Sequence, residues 1–303
     1  MIGLKIGFLF SMKILFLGGG YCSQYIIKLL DTSIDIYCTH RTKETVKKKT
    51  LEDIRDIKRL EFSKFLKNKS LLCTFTHILI SIPPDDNGDL VVNKIKENLN
   101  EMKNLVWFGY FSTTGVYGDH KGKWVDEETE LKTLNLRSVN RIKAENQYLE
   151  LYKESKIPIH IFRLPGIYGP GRSIFDRLKN KDFRIVIKKN HFFSRIHVDD
   201  IANAIYLSMQ SPTPGEIYNI VDDFPCPSDE VSVFACKLSD MKEPLKVNYN
   251  DNYVSDFTKS FYNENRKVSN LKIKKKLNWK PKYPNFKKGL ESILNIPQIK
   301  IDK

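Results

Sequence analysis

An apolar run that ends in three glycines and passes at once into helical spacing constrains this chain most. KILFLGGG (13–20) reads as a buried strand feeding a tight turn, and YCSQYIIKLL (21–30) follows as a helix. Further strands are predicted over IDIYCTHR (34–41), HILISIPP (77–84) and NLVWFGYFSTTGVYG (104–118). RIKAENQYLELYKES (141–155) has a helical period, and IPIHIFRLPGIYGPG (157–171) returns as a strand and turn. Strands alternating with helices pair in parallel, so the fold class is α/β, a doubly wound parallel sheet.

Beyond residue 171 the rhythm loosens. IHVDDIANAIYLSMQ (196–210) predicts a helix capped at its start by Asp199 and Asp200, and EIYNIVDD (216–223) predicts one more strand. Pro225, Pro227, Pro281 and Pro284 mark the remainder as a smaller C-terminal lobe. The expected division is a sheet domain over 12–165 and 190–223 and a small lobe over 166–189 and 224–303. Residues 1–11 read as an extension, with Met12 an alternative start.

With 303 residues, 41% hydrophobic and 28% charged, the composition is that of a soluble globular protein. The net charge of +14 is concentrated at the end: Arg266 to Lys303 holds twelve basic and two acidic residues. Such a run is either a surface for nucleic acid or membrane, or a solvated lysine-rich face. No recognition motif accompanies it, so the second reading is preferred, with no specific nucleic acid and no membrane as partner. The apolar start is broken by Lys5 and Lys13, unlike a signal peptide or a membrane helix. Five cysteines without a CxxC point to a reducing, cytoplasmic setting, and six histidines without HxH or HxxxH spacing predict no structural metal.

Gly18, Gly20 and Ser23 occupy the places of a GxGxxG turn. The first glycine permits the tight turn, the second lets backbone approach a pyrophosphate, and a small third residue lets helix and strand pack closely. This is the signature of a Rossmann dinucleotide site; the alternative is a structural βα turn. At the end of the second strand, THRTKE offers Arg41, with Thr39, His40 and Lys43 nearby, in place of an acidic residue. A cation there suits the 2′-phosphate of NADP better than the ribose hydroxyl of NAD. Ser81, Ile82 and Pro83 are expected to line the cofactor cleft.

Five ordered stretches carry a resemblance: FSTTGVYG (111–118), RLPGIYGPGR (163–172), SRIHVDDIANAI (194–205), IYNIVDD (217–223) and VSNLKIKKKLNWKP (268–281). Together they resemble the extended short-chain dehydrogenase/reductase superfamily, the group of nucleotide-sugar epimerases and dehydratases. STTGVYGD, GPGRS, FSRIHVDDIA and SFYNENRKVSN look most like its atypical branch related to the bacterial YeeZ proteins. The resemblance implies a catalytic hydroxyl at Thr113, which would bond a reacting substrate oxygen. Its YxxxKxxxE helix motif aligns through Glu145 and places Arg137 where a tyrosine is usual and Arg141 where a lysine is usual. Arg141 can keep the positive charge and the nicotinamide-ribose bond; Arg137 cannot shuttle a proton. Tyr117 is the candidate stand-in donor, and His120 is the nearby imidazole with a suitable intrinsic pKa. Arg163, Pro165, Tyr168, Gly169 and Pro170 form the step that, in the family, leads under the nicotinamide. Arg172, Arg177 and Arg195 are candidates to meet an anionic substrate. The implied activity is that of an NADP-dependent oxidoreductase or epimerase on a small, sugar-nucleotide-like molecule, with pairing into a homodimer. The alternative is a non-catalytic NADP-binding sensor or regulatory protein.

Overall fold

The computed structural model describes residues 12–40, 56–65, 67–99 and 101–295, the side chains at 93–95 and 97 excepted. Residues 1–11, Arg41, Lys43 and the last eight residues lie outside the described residues.

Seven strands make one parallel sheet: β1 (Lys13–Leu17), β2 (Asp35–His40), β3 (Ile57–Glu61), β4 (His77–Ile80), β5 (Trp107–Thr113), β7 (Ile159–Leu164) and β11 (Ile217–Asn219). Their order is β11-β7-β5-β4-β1-β2-β3. Ile14–Leu17, His77–Ile80 and Ile159–Leu164 are continuously buried, as expected where helices cover both faces of a parallel sheet. Strand β3 has no counterpart among the strands predicted from sequence. Three of its five residues, IKRLE, are charged, and it lies at the sheet's edge, paired with Ile36–His40, where a solvated strand needs polar side chains.

One face buries Ile14, Phe16, Ile36 and Phe162 against α1 (Tyr21–Leu29) and α7 (Val198–Gln210), with Ile273, Leu277 and Trp279 from the C-terminal region. The other buries Leu15, Leu17, Ile78 and Tyr110 against α4 (Leu90–Leu99) and α5 (Leu136–Ser155). Helices α2 (Phe62–Phe65) and α3 (Lys69–Leu72) follow β3. Helix α5 starts a turn and a half earlier than its apolar period suggests, because the Asn135 side chain accepts from Arg137 N at 3.1 Å and caps it.

A third core gathers Tyr168, Phe175, Cys226, Ala235, Phe286 and Leu290. It is assembled from α6 (Ile174–Leu178), α8 (Ser228–Leu238) and α11 (Phe286–Leu294). Short parallel pairs edge this part of the molecule: β8 (Gly166–Tyr168) with β10 (Arg195–His197), β9 (Ile185–Ile187) with β12 (Lys246–Asn248), and β6 (Trp124–Val125) with β13 (Lys267–Val268). Helices α9 (Asp256–Ser260) and α10 (Leu271–Leu277) complete the chain order. The lysines of α10 have carboxylate partners: Lys272 meets Glu216 at 2.7 Å, Lys274 meets Asp223 at 2.5 Å and Lys276 meets Glu216 at 3.2 Å. Much of the basic run thus answers an acidic rim. No helix among the described residues is long and apolar enough to cross a membrane.

The cap of α7 differs from expectation. The His197 side chain, not a carboxylate, accepts from Asp199 N at 3.2 Å. Asp200 is turned inward and accepts from Lys282 N at 2.5 Å and Tyr283 N at 3.0 Å, fastening the C-terminal segment to the helix.

Candidate active site

The sheet order reverses direction between β1 and β4, so the crevice at their C-terminal ends is where an open α/β sheet admits a ligand. The glycine turn sits there. Gly18 has φ +100°, which a side chain would oppose, and three hydroxyls hold it. Thr39 Oγ1 accepts from Gly18 N at 3.1 Å, and Ser23 Oγ and Ser81 Oγ each donate to the Gly18 carbonyl at 2.8 Å. A Cβ at Gly18 would lie 2.5 Å from Ser81 Oγ. Ser23 therefore does more than fill a small space: it braces the turn. Ser81, expected to line the cofactor cleft, directs its hydroxyl to the same carbonyl. Ile82 packs against Gly18, and Pro83 is exposed.

Beyond the turn, Gly20 is exposed with no atom within 4 Å of where its Cβ would be. Helix α1 begins there with neither a side-chain cap nor an acidic residue in its first turn. Its first N–H groups and its positive dipole end therefore face open space, and the residues present fit a phosphate. Tyr21 Oη donates to Pro170 O at 3.0 Å, docking the Pro165–Pro170 step on the helix start, with the Arg172 guanidinium 5.7 Å from the Tyr21 ring.

Thr113 ends β5 in the same crevice. Its Oγ1 accepts from Gly115 N at 3.0 Å, capping a short 3₁₀ turn over Thr114–Tyr117. A Cβ at Gly115 would meet Ser138 Oγ at 2.5 Å and Thr113 Oγ1 at 3.2 Å, so the glycine brings α5 close to the strand end.

Tyr117, the stand-in donor expected from sequence, follows Thr113 on that turn. It is fully buried, its Oη donating to Asn219 Oδ1 at 2.8 Å and accepting from Arg163 Nη1 at 3.0 Å. Burial pushes the phenol up to about 12, against the lowering pull of Arg163. The network continues through Arg163 to Glu145, and Ser112 Oγ donates to Glu145 Oε1 at 2.5 Å. His120, the neighbouring imidazole, is held by Nε2 against the Tyr117 carbonyl at 3.0 Å.

Arg137 and Arg141 lie one turn apart on α5. Arg137 is exposed, whereas Arg141 Nη1 bonds Tyr110 Oη at 3.2 Å and the Phe111 carbonyl, fastening α5 to β5 beside Thr113. The loop after β4 is tied to the same helix: Asn140 Nδ2 donates to Asp86 at 2.8 Å, and Asp89 N donates to Gln147 at 2.9 Å. Of the other candidate arginines, Arg195 donates to the Phe193 and Cys226 carbonyls at 2.9 and 3.0 Å, and Arg177 lies 4.7 Å over the Phe183 ring. Arg172 is exposed and stands beside Tyr21 at the start of α1. Sequence reasoning overlooked Arg59, on the unpredicted strand β3, whose Nη1 would lie 3.9 Å from a Cβ at Gly19.

Sheet order, glycine turn and open helix start together define a Rossmann-type dinucleotide fold. Residues 97–221 match the NAD dependent epimerase/dehydratase family. It is 36% identical to a functionally unknown conserved protein from Silicibacter pomeroyi, covering 94% of this chain and 98% of that one at a TM-score of 0.85. The dTDP-glucose 4,6-dehydratase of Bacillus anthracis, solved in complex with NAD, superposes at a TM-score of 0.77 with 20% identity, over 94% of this chain and 96% of that one. A dTDP-D-glucose 4,6-dehydratase from Dictyostelium discoideum is 27% identical over 176 residues, 50% of this chain and 40% of that protein. The chain thus spans roughly half or less of that dehydratase's length.

Proposed function

We propose that this protein binds NADP across the crevice between β1 and β4 and uses it in oxidoreductase or epimerase chemistry on a small, sugar-nucleotide-like substrate in the cytoplasm. The observation that carries this reading is the glycine turn: Gly18 fixed at positive φ by Thr39, Ser23 and Ser81, with an uncapped helix start opening beyond it. The family and the NAD-bound neighbour support the nucleotide; five free thiols support a reducing compartment.

A nicotinamide nucleotide bound there supplies hydride exchange with a carbon that bears oxygen. The first N–H groups of α1 meet its phosphates. Thr113 donates its hydroxyl proton to the substrate oxygen while Gly115 N holds the Thr113 oxygen in place. Arg141, anchored to the Phe111 carbonyl and to Tyr110, keeps a positive charge next to that position and sets the angle of α5. Neither arginine of the helix exchanges protons near neutral pH, so proton transfer falls to water in the crevice. Lack of a dedicated donor costs roughly 10²–10⁴ in rate.

A second reading, a nucleotide-responsive regulatory protein without turnover, is favoured by one observation: Tyr117 and His120 are both engaged with other protein groups. Incubating the protein with NADPH or NADP and a panel of UDP- and dTDP-sugars, with product analysis by mass spectrometry, separates the two. Slow conversion that Thr113→Val reduces by about 10- to 100-fold and Arg137→Ala leaves intact supports the enzyme. Tight nucleotide binding with no conversion of any sugar nucleotide supports the regulator.

A further inference from the structure

The cation that distinguishes NADP from NAD is expected just past β2, yet a described cation beside the glycine turn comes from the next strand out. Arg59 is the register partner of Cys38, which in turn pairs with Phe16 of β1. Laterally paired residues of parallel strands project to one face, so Cys38 and Arg59 lie side by side on the α1 face. A Cβ at Gly19 would meet Cys38 Cβ at 3.3 Å, Cys38 Sγ at 3.6 Å and Arg59 Nη1 at 3.9 Å. The guanidinium therefore reaches back across β2 to the rim of the phosphate cradle, on the opposite side of the turn from Ser81. Its charge is also felt at the Cys38 thiol, which burial pushes up to about 12 and Arg59 draws back.

Next to Arg59, a cavity of about 600 Å³ opens between the ends of β2 and β3 and the helices that follow. That is ample space for one end of a nucleotide. His40, Glu61 and Lys64 share its wall with Arg59. His40 Nδ1 is buried with no hydrogen-bond partner, and Glu61 is engaged with Lys64 at 2.9 Å. A planar guanidinium at the mouth of such a space, between it and the phosphate cradle, is suited to a doubly charged phosphate monoester through two parallel N–H···O bonds.

We propose that Arg59 is the specificity-determining residue for the adenosine end of the nucleotide, its guanidinium taking the 2′-phosphate of NADP. The inference rests on the dinucleotide-binding reading above and adds the residue that reads the cofactor. An NAD ribose places only a hydroxyl at that position and gains no comparable bond.

The test is nucleotide fluorescence titration of the full chain with NADPH and NADH, in the parent and in Arg59→Gln and Arg59→Lys. The parent is expected to favour NADPH. Arg59→Gln should weaken NADPH by about 10- to 100-fold, as befits loss of a charge-assisted bidentate contact, and leave NADH within about twofold; Arg59→Lys should fall between. In parallel, 2′-AMP should displace NADPH from the parent more effectively than 5′-AMP does, and lose that advantage on Arg59→Gln. Equal weakening of both nucleotides, no weakening of either, or equal affinity of the parent for NADPH and NADH each overturns the assignment of Arg59 while leaving dinucleotide binding intact. A parent that binds neither nucleotide overturns the function itself. Melting temperatures of the variants, expected within a few degrees of the parent because Arg59 lies on an edge strand, show that any loss is not a loss of fold.

Discussion

Arg163 and Glu145 form a two-pronged ion pair inside the core, with Nε–Oε1 at 3.1 Å, Nη2–Oε2 at 2.7 Å and side chains 3% and 2% exposed. The pair joins β7 to α5, and its outer atoms reach Ser112 on β5 and Tyr117. It thus sets the spacing of the strand end that carries Thr113 from the helix that carries Arg141. Removing one partner strands a buried charge, which costs about 3–5 kcal/mol. Glu145→Ala should lose about that much in urea unfolding, and Glu145→Leu with Arg163→Met should lose less than the single change. A loss below about 1 kcal/mol for Glu145→Ala would contradict the buried-pair account.

Gly18→Ala tests the turn. The added methyl meets Ser81 Oγ at 2.5 Å and forces a side chain to φ +100°. The cost should be about 1–3 kcal/mol of stability, together with loss of measurable nucleotide binding. Gly20→Ala, in open space, should be tolerated in stability and isolates the strain at Gly18 from the added methyl itself. If calorimetry finds Gly18→Ala as competent for nucleotide as the parent, the turn is not the cradle.

Thr113 has one hydroxyl with two tasks. Thr113→Ser keeps the Gly115 contact and the proton, and should retain most turnover. Thr113→Val removes both and should reduce turnover by about 10- to 100-fold, the worth of a hydrogen bond to a developing charge, with nucleotide affinity unchanged. Equal turnover in Val and Ser variants would place the substrate oxygen elsewhere.

Asp222 is a buried carboxyl whose Oδ2 has no partner, and burial raises its pKa to about 8 despite the Phe224 amide and Arg195. The folded pKa lies above the unfolded value of about 3.9. The folded chain therefore holds a proton that the unfolded chain releases, and stability falls as pH rises from about 4 to about 8. Asp222→Asn removes that dependence. The melting temperature of the variant should gain on the parent between pH 5 and pH 9; parallel curves would show that Asp222 ionises freely in the fold.

The sheet was legible because its buried strands are unbroken apolar runs and its first turn is built of small residues. Strand β3 was not legible, since an edge strand such as IKRLE has a solvated face and no apolar signature. Arg59 lies on that strand and was missed with it, whereas Arg41 lies outside the described residues. The positions of Thr113 and Arg141 followed from motif spacing, but their partners did not: whether Tyr117 opens to the crevice or is sealed by Arg163 and Asn219 depends on residues 46 and 102 positions away. Asp199 and Asp200 looked like caps because helix starts favour carboxylates. The tertiary fold instead uses His197 for the cap and gives Asp200 to the main chain of Lys282 and Tyr283.

Calorimetric titration of the full chain with NADP, and separately with NAD, is the most direct test of a dinucleotide seated over Gly18–Tyr21. We predict one site per chain, with NADP binding more tightly than NAD and binding abolished in Gly18→Ala. Absence of heat with either nucleotide at millimolar concentration, from protein that is folded by circular dichroism, would contradict the account.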